Sequence, residues 1–132
     1  MAARAGVLLD LGPDLVDLLE TALGRVLAIR AHGDPHGWFG LMLEHEGGRF
    51  SEASMCGSAA VDQPVARVEI FGSGGAAEVD CTAAVGPETY TTMFREFADA
   101  VHRETPHEPD VHRGLRLQQL IEAADTDLLA GR

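Results

Sequence analysis

The sequence predicts an α+β fold: a mostly antiparallel sheet of about five strands with helices packed on one face, an open-faced sandwich. Three observations carry this. Apolar residues recur at helical spacing near the start, after Pro87 and near the end. Between Arg25 and Thr82 the chain breaks into five short strand-like runs. The connections between those runs are too short for crossover helices, which favours antiparallel pairing. At 132 residues the chain suits one domain, 1–132, built round one core.

In the first segment, Leu8, Leu11, Leu15, Leu18, Leu19 and Ala22 follow the i, i+3, i+4 pattern, and Gly24 is a helix stop. Pro13 marks the first turn or, if the helix starts near Val7, lies inside it. Arg25 to His32 is branched, apolar and short, hence a strand, with a loop at Gly33-Asp34-Pro35-His36. Trp38 to Glu46 meets Gly47-Gly48, a hairpin signal, before Arg49 to Cys56. Gly57 to Pro64 reads as a loop, Ala66 to Phe71 as a strand with Val68 and Ile70 on one face, and Ala76 to Thr82 as its neighbour. Tyr90, Met93, Phe94, Phe97, Ala98 and Val101 form one stripe of a helix ending near Glu104, a stripe expected in the core. Thr105 to Pro109 is a linker, and Leu117, Leu120, Ile121, Ala124 and Leu128 define a last helix that Gly131 can end.

Charge excludes some functions. Twenty-one acidic against ten basic residues give a net charge of -11, with no basic cluster to offset it, so nucleic acid and anionic membrane surfaces are not expected partners. No apolar run approaches the roughly 20 residues of a bilayer span, and the short apolar start carrying Asp10 is unlike a signal peptide. A cytoplasmic protein without membrane contact is the expectation. Cys56 and Cys81 lack metal or disulfide spacing and are expected as buried, reduced thiols.

Three motifs invite chemistry. Gly72-Ser73-Gly74-Gly75-Ala76-Ala77 fits the letters of a dinucleotide fingerprint, but a strand rather than a helix follows, so a hairpin turn is expected. His107-Glu108-Pro109-Asp110-Val111-His112 misses the zinc-protease spacing by one residue and holds a proline. His32, Asp34 and His36 lack well-spaced further ligands, apart from His45 in the next strand, so no metal is expected. The acidic helix face is the stronger candidate. Asp10, Asp14 and Asp17 share one side of the first helix, which is either a solvated edge or a site; two carboxylates four residues apart in a cavity can share a proton, which raises one into the range of a general acid or base.

Gly6 to Leu19 resembles the helix G-x-L-x-D-x-G-x-H-x-x-D-L-L of the C-terminal substrate domain of Gfo/Idh/MocA oxidoreductases, the glucose-fructose oxidoreductase and inositol dehydrogenase family. Gly24-Arg25-Val26 is similar to the Gly-Val turn that follows there, and Val68-Glu69-Ile70-Phe71-Gly72-Ser73-Gly74-Gly75 to a later strand and turn. Gly114-Leu115-Arg116-Leu117 through Glu122-Ala123-Ala124 to Gly131-Arg132 resembles the closing helix. The resemblance aligns Asp10 with the motif's Asp and Asp14 with the histidine that transfers a proton. It also implies a missing Rossmann domain, and with no lysine in the sequence there is no counterpart to the family's catalytic lysine. The implied protein binds no NAD(P) by itself and has no cofactor.

Two functions follow as expectations. The first is an interaction module that forms a homo-oligomer, a homodimer in the simplest case, through the sheet face the helices leave open, or that docks on a separate Rossmann subunit as half of a split oxidoreductase. The second is a small enzyme for redox-neutral acid/base chemistry, an isomerase, dehydratase or cyclase acting on a hydroxylated or carbonyl substrate. Its catalytic residues would be Asp14 as acid or base, Asp10 as its neighbour, and His36 or His45 as partners.

Overall fold

The computed structural model describes residues 6–82 and 86–131. Their order is α1 (Gly6–Leu23), β1 (Val26–Gly33), β2 (Trp38–His45), β3 (Arg49–Cys56), β4 (Arg67–Gly72), β5 (Gly75–Asp80), α2 (Pro87–Arg103) and α3 (Val111–Ala130). The fold is α+β, and the strand pairings are antiparallel. The five strands form two sheets rather than one, β1-β2-β3 and β4-β5. Alternation along a strand specifies which residues share a face, but not which edges meet. The described residues of Met1–Ala59 and Pro109–Arg132 form one compact unit, and Ala60–Glu108 a second.

In the first unit α1 and α3 cover one face of β1-β2-β3. α1 runs through Pro13 rather than starting at it, so the proline removes one backbone donor inside the helix. Its buried residues are Leu8, Gly12, Val16 and Leu19, whereas Leu11 is half exposed. The stripe is turned relative to the leucine pattern, with Gly12 packed against Ile121 of α3. A Cβ on Gly12 would stand 2.8 Å from Ile121 Cδ1. The smallest residue, not the largest, sits at the crossing. α3 answers with Leu117, Ile121, Ala124 and Leu128, and starts at Asp110, whose carboxylate accepts from the His112 and Arg113 backbone N–H groups at 3.0 and 2.9 Å. Those donors hold the Asp110 carboxyl below its ordinary value, the Arg113 N–H foremost.

The sheet supplies the other half of this core. Phe39, Leu41, Leu43 and His45 of β2 are buried on the inner face, beside Val26 and Ile29 of β1 and Met55 of β3. Leu27 is the extra residue of a bulge where the β1–β2 register shifts between Val26 and Ala28. Gly33, at φ 117°, carries the chain out of β1, and a Cβ there would stand 2.6 Å from the Trp38 carbonyl oxygen.

The second unit contains the β4–β5 hairpin and α2. Gly72 pairs with Gly75 across Ser73-Gly74, so the glycine run is a hairpin turn. α2 buries no residue. Tyr90, Met93, Phe94, Phe97 and Val101 are all more than half exposed, contrary to the core position expected of that stripe. Helical spacing creates a stripe, but only a facing element buries it.

Candidate functional site

Asp10 and Asp14 are exposed on the first half of α1, and among the described residues neither carboxylate has a hydrogen bond or ion pair. Asp17, the third carboxylate of that face, does. It is half-buried and accepts from Arg113 Nε, while Arg113 Nη2 donates to Thr21 Oγ1 at 3.0 Å. One turn on, Glu20 accepts from Arg116 Nη2 at 2.7 Å and from the Val26 backbone N–H at 2.8 Å, and Arg116 donates to the Val26 carbonyl at 2.7 Å. Burial pushes the Glu20 carboxyl upward, but the Arg116 and Val26 hydrogen bonds and the charges of Arg116 and Arg113 outweigh it and hold the group below its ordinary value. The carboxylates that do structural work thus lie later in α1 than the pair singled out in the sequence.

The two candidate histidines do not meet. His36 is exposed in the β1–β2 turn, where Asp34 Oδ1 accepts from its backbone N–H at 2.9 Å. His45 ends β2, so the strand's eight residues, roughly 25 Å, separate them. His45 is fully buried. Its Nδ1 donates to the Gly24 carbonyl at 2.7 Å, which leaves Nε2 to accept from the Ser51 hydroxyl at 2.8 Å in the neutral ring. Both ring nitrogens are occupied in joining the α1–β1 connection to β3. Among the described residues no group of three His, Cys, Asp or Glu side chains could hold a metal ion, and no helix is long and apolar enough to cross a membrane. His107 pairs with Glu96 at 2.9 Å.

What the first unit leaves open is the outer face of β1-β2-β3. Register sets its rows: Ala28, Glu44 and Phe50; Arg30, Met42 and Glu52; His32, Gly40 and Ser54; then Trp38 and Cys56. Trp38 is 49%, Met42 51% and Phe50 66% exposed. His32 and Trp38 meet edge to face at 5.5 Å and close over Gly40, where a Cβ would stand 3.0 Å from His32 Cε1. Those rings bury a glycine that would otherwise leave a gap in β2. Cys56 is exposed here, not buried as expected, and its partner is the Ser58 hydroxyl at 3.6 Å. Hydrogen bonding from Ser58 holds the thiol below its ordinary value. The sequence carried a signal of this face in Trp38-Phe39-Gly40-Leu41-Met42-Leu43, where both sides of one strand are apolar. Compared with protein-family models, curated proteins and solved structures, the chain matches none.

Proposed function

We propose that this protein is an interaction module whose contact surface is the outer face of β1-β2-β3, covered by another protein chain in the working state. One observation carries the reading: Trp38, Met42 and Phe50 share one face of a three-stranded sheet and are about half exposed or more, while the opposite face is filled by α1 and α3. The resemblance of Gly6 to Leu19 and Val68 to Gly75 to the Gfo/Idh/MocA substrate domain supports it, because the open sheet face of that domain serves oligomerisation. Hydroxyl-radical footprinting tests it. Trp38, Met42 and Phe50 are expected to be shielded in intact cells relative to the dilute purified chain, while Phe94 and Phe97 serve as exposed controls. Equal oxidation of the three residues in both settings would overturn the reading.

A further inference from the structure

The two edges of the three-stranded sheet are finished differently. The Gly57 N–H donates to the Gly37 carbonyl at 3.3 Å, in register with the Trp38–Cys56 pair. Hydrogen-bonding residues alternate along an antiparallel ladder, so Arg49, Ser51, Ala53 and Met55 of β3 bond to β2, while Phe50, Glu52, Ser54 and Cys56 turn their N–H and C=O groups away from it. The same count from the Asp34 N–H, 2.8 Å from the Trp38 carbonyl, turns Ile29, Ala31 and Gly33 of β1 outward. The β1 edge is capped there. Asp127 Oδ2 accepts from the Ala31 N–H at 3.2 Å, and beyond the bulge Glu20 Oε1 accepts from the Val26 N–H at 2.8 Å. Among the described residues no strand pairs with the far side of β3, and no acceptor meets the N–H groups of Phe50, Glu52, Ser54 or Cys56. β3 holds no proline, and its one cation is turned aside: Arg49 Nη1 donates to the Leu23 and Glu46 carbonyls, both at 3.3 Å. An eight-residue edge left without cap or proline is a template for one more strand.

We infer that β3 takes an extended segment of another protein as a fourth strand, paired antiparallel, with a lysine or arginine beside Glu52. This goes beyond the reading above, because the face presents side chains and the edge presents backbone. Main-chain hydrogen bonds hold such a strand, and the side chains beside it choose its sequence. On the outer side its residues fall next to Phe50, Glu52 and Ser54, and on the inner side next to Ser51 and Ala53. Phe50 favours a β-branched or aromatic neighbour, and Glu52 favours a cation two residues further on. Charge also separates the candidate occupants. A net charge of -11 repels a second copy and attracts a basic segment, which Glu52 then meets directly.

Nuclear magnetic resonance on the full isotope-labelled chain provides the test, with the end-capped peptide Thr-Val-Thr-Lys-Thr-Val-Thr as probe. Its alternation is the same read in either direction. At saturation the amides of Phe50, Glu52, Ser54 and Cys56 are expected to shift and to exchange with solvent about tenfold more slowly or better, while the Ala31 amide, already bonded to Asp127, stays as it was. Glutamate in place of the peptide's lysine is expected to weaken binding about fivefold, and Glu52→Lys in the chain to reverse that preference. Glu52 is exposed, and unchanged Ile121 resonances check that the variant folds. N-methylation of the peptide at its valines and lysine removes the donors that face β3 and is expected to abolish the shifts. Equal binding of the methylated peptide overturns antiparallel pairing, and equal binding of the lysine and glutamate peptides overturns the part given to Glu52. No shift at about 1 mM peptide overturns the edge as a docking site. Protection of the four amides that rises with protein concentration, without peptide, assigns the edge to a second copy and overturns the basic segment. Shielding of Trp38 and Met42 is measured separately, so the reading of the outer face holds or fails independently.

Discussion

Glu20 shows how one side chain sets a pH dependence. It joins α1 to α3 through Arg116 and to the start of β1 through the Val26 N–H, with its side chain only 11% exposed. Its carboxyl lies below the ordinary value of 4.5, so the folded chain holds that proton less tightly than the unfolded one. The resulting stability is complete above about pH 4.5 and is lost as pH falls through the lower folded value. Glu20→Gln is expected to cost about 1.5–3 kcal/mol at pH 7 and to flatten the loss of stability as pH falls below about 4.5, read from urea midpoints across the acid range. An unchanged acid limb would remove Glu20 as its source. His45 makes the complementary point. A histidine in an apolar strand was a catalytic candidate on residue type, yet its two ring nitrogens are held by Gly24 and Ser51, partners 21 and six residues away. Nothing in the local sequence marks those partners, because they meet the ring only across the hairpin and the α1–β1 turn.

At the scale of elements, position in the core separates helices that look alike in sequence. α2 and α3 both carry apolar stripes, but α3 buries Leu117, Ile121, Ala124 and Leu128 and α2 buries none. Ile121→Ala is expected to destabilise the first unit by about 2–5 kcal/mol, whereas Phe94→Ala with Phe97→Ala should shift it by about 0.5 kcal/mol or less. Chemical denaturation monitored at Trp38 reads the difference. A large effect of the α2 pair would mean that its stripe has a structural partner. Gly12 supplies the second element-scale prediction. Valine there puts two methyl groups against Ile121 and Leu8, so Gly12→Val is expected to cost about 1–3 kcal/mol despite valine's better helix propensity. The element boundaries were largely legible: the Gly47-Gly48 and Ser73-Gly74 turns, the Thr105 to Pro109 linker and the Gly131 stop all fall where turn chemistry puts them. The face of α1 was not, since leucine spacing pointed to Leu11 and Leu15 while the close approach at Gly12 rotated the contact by about one residue.

For the whole molecule, burial is unevenly distributed between the two units. Among the described residues the buried hydrophobic ones fall in α1, α3 and the three-stranded sheet, and none falls in β4, β5 or α2. Amide hydrogen exchange is therefore expected to be slowest in β2 and around Ile121 and fastest in β4, β5 and α2, by about 100-fold or more. Comparable protection in α2 and α3, measured by mass spectrometry on the full chain, would contradict this distribution.

The sequence by itself determined the α+β class, the order of the helices and strands with the turns between them, and the reading of the glycine run as a turn, because these depend on residue spacing and on the backbone freedom of Gly and Pro, whereas the start of α1 relative to Pro13 stayed open. Tertiary structure decided the rest. The split of five strands into two sheets, the pairing of Asp17 and Glu20 with arginines 96 residues away, and the exposure of the α2 stripe all depend on which surfaces meet. So does the outer sheet face: Arg30, Met42 and Glu52 are ten or more residues apart along the chain, and only antiparallel register lines them up in one row.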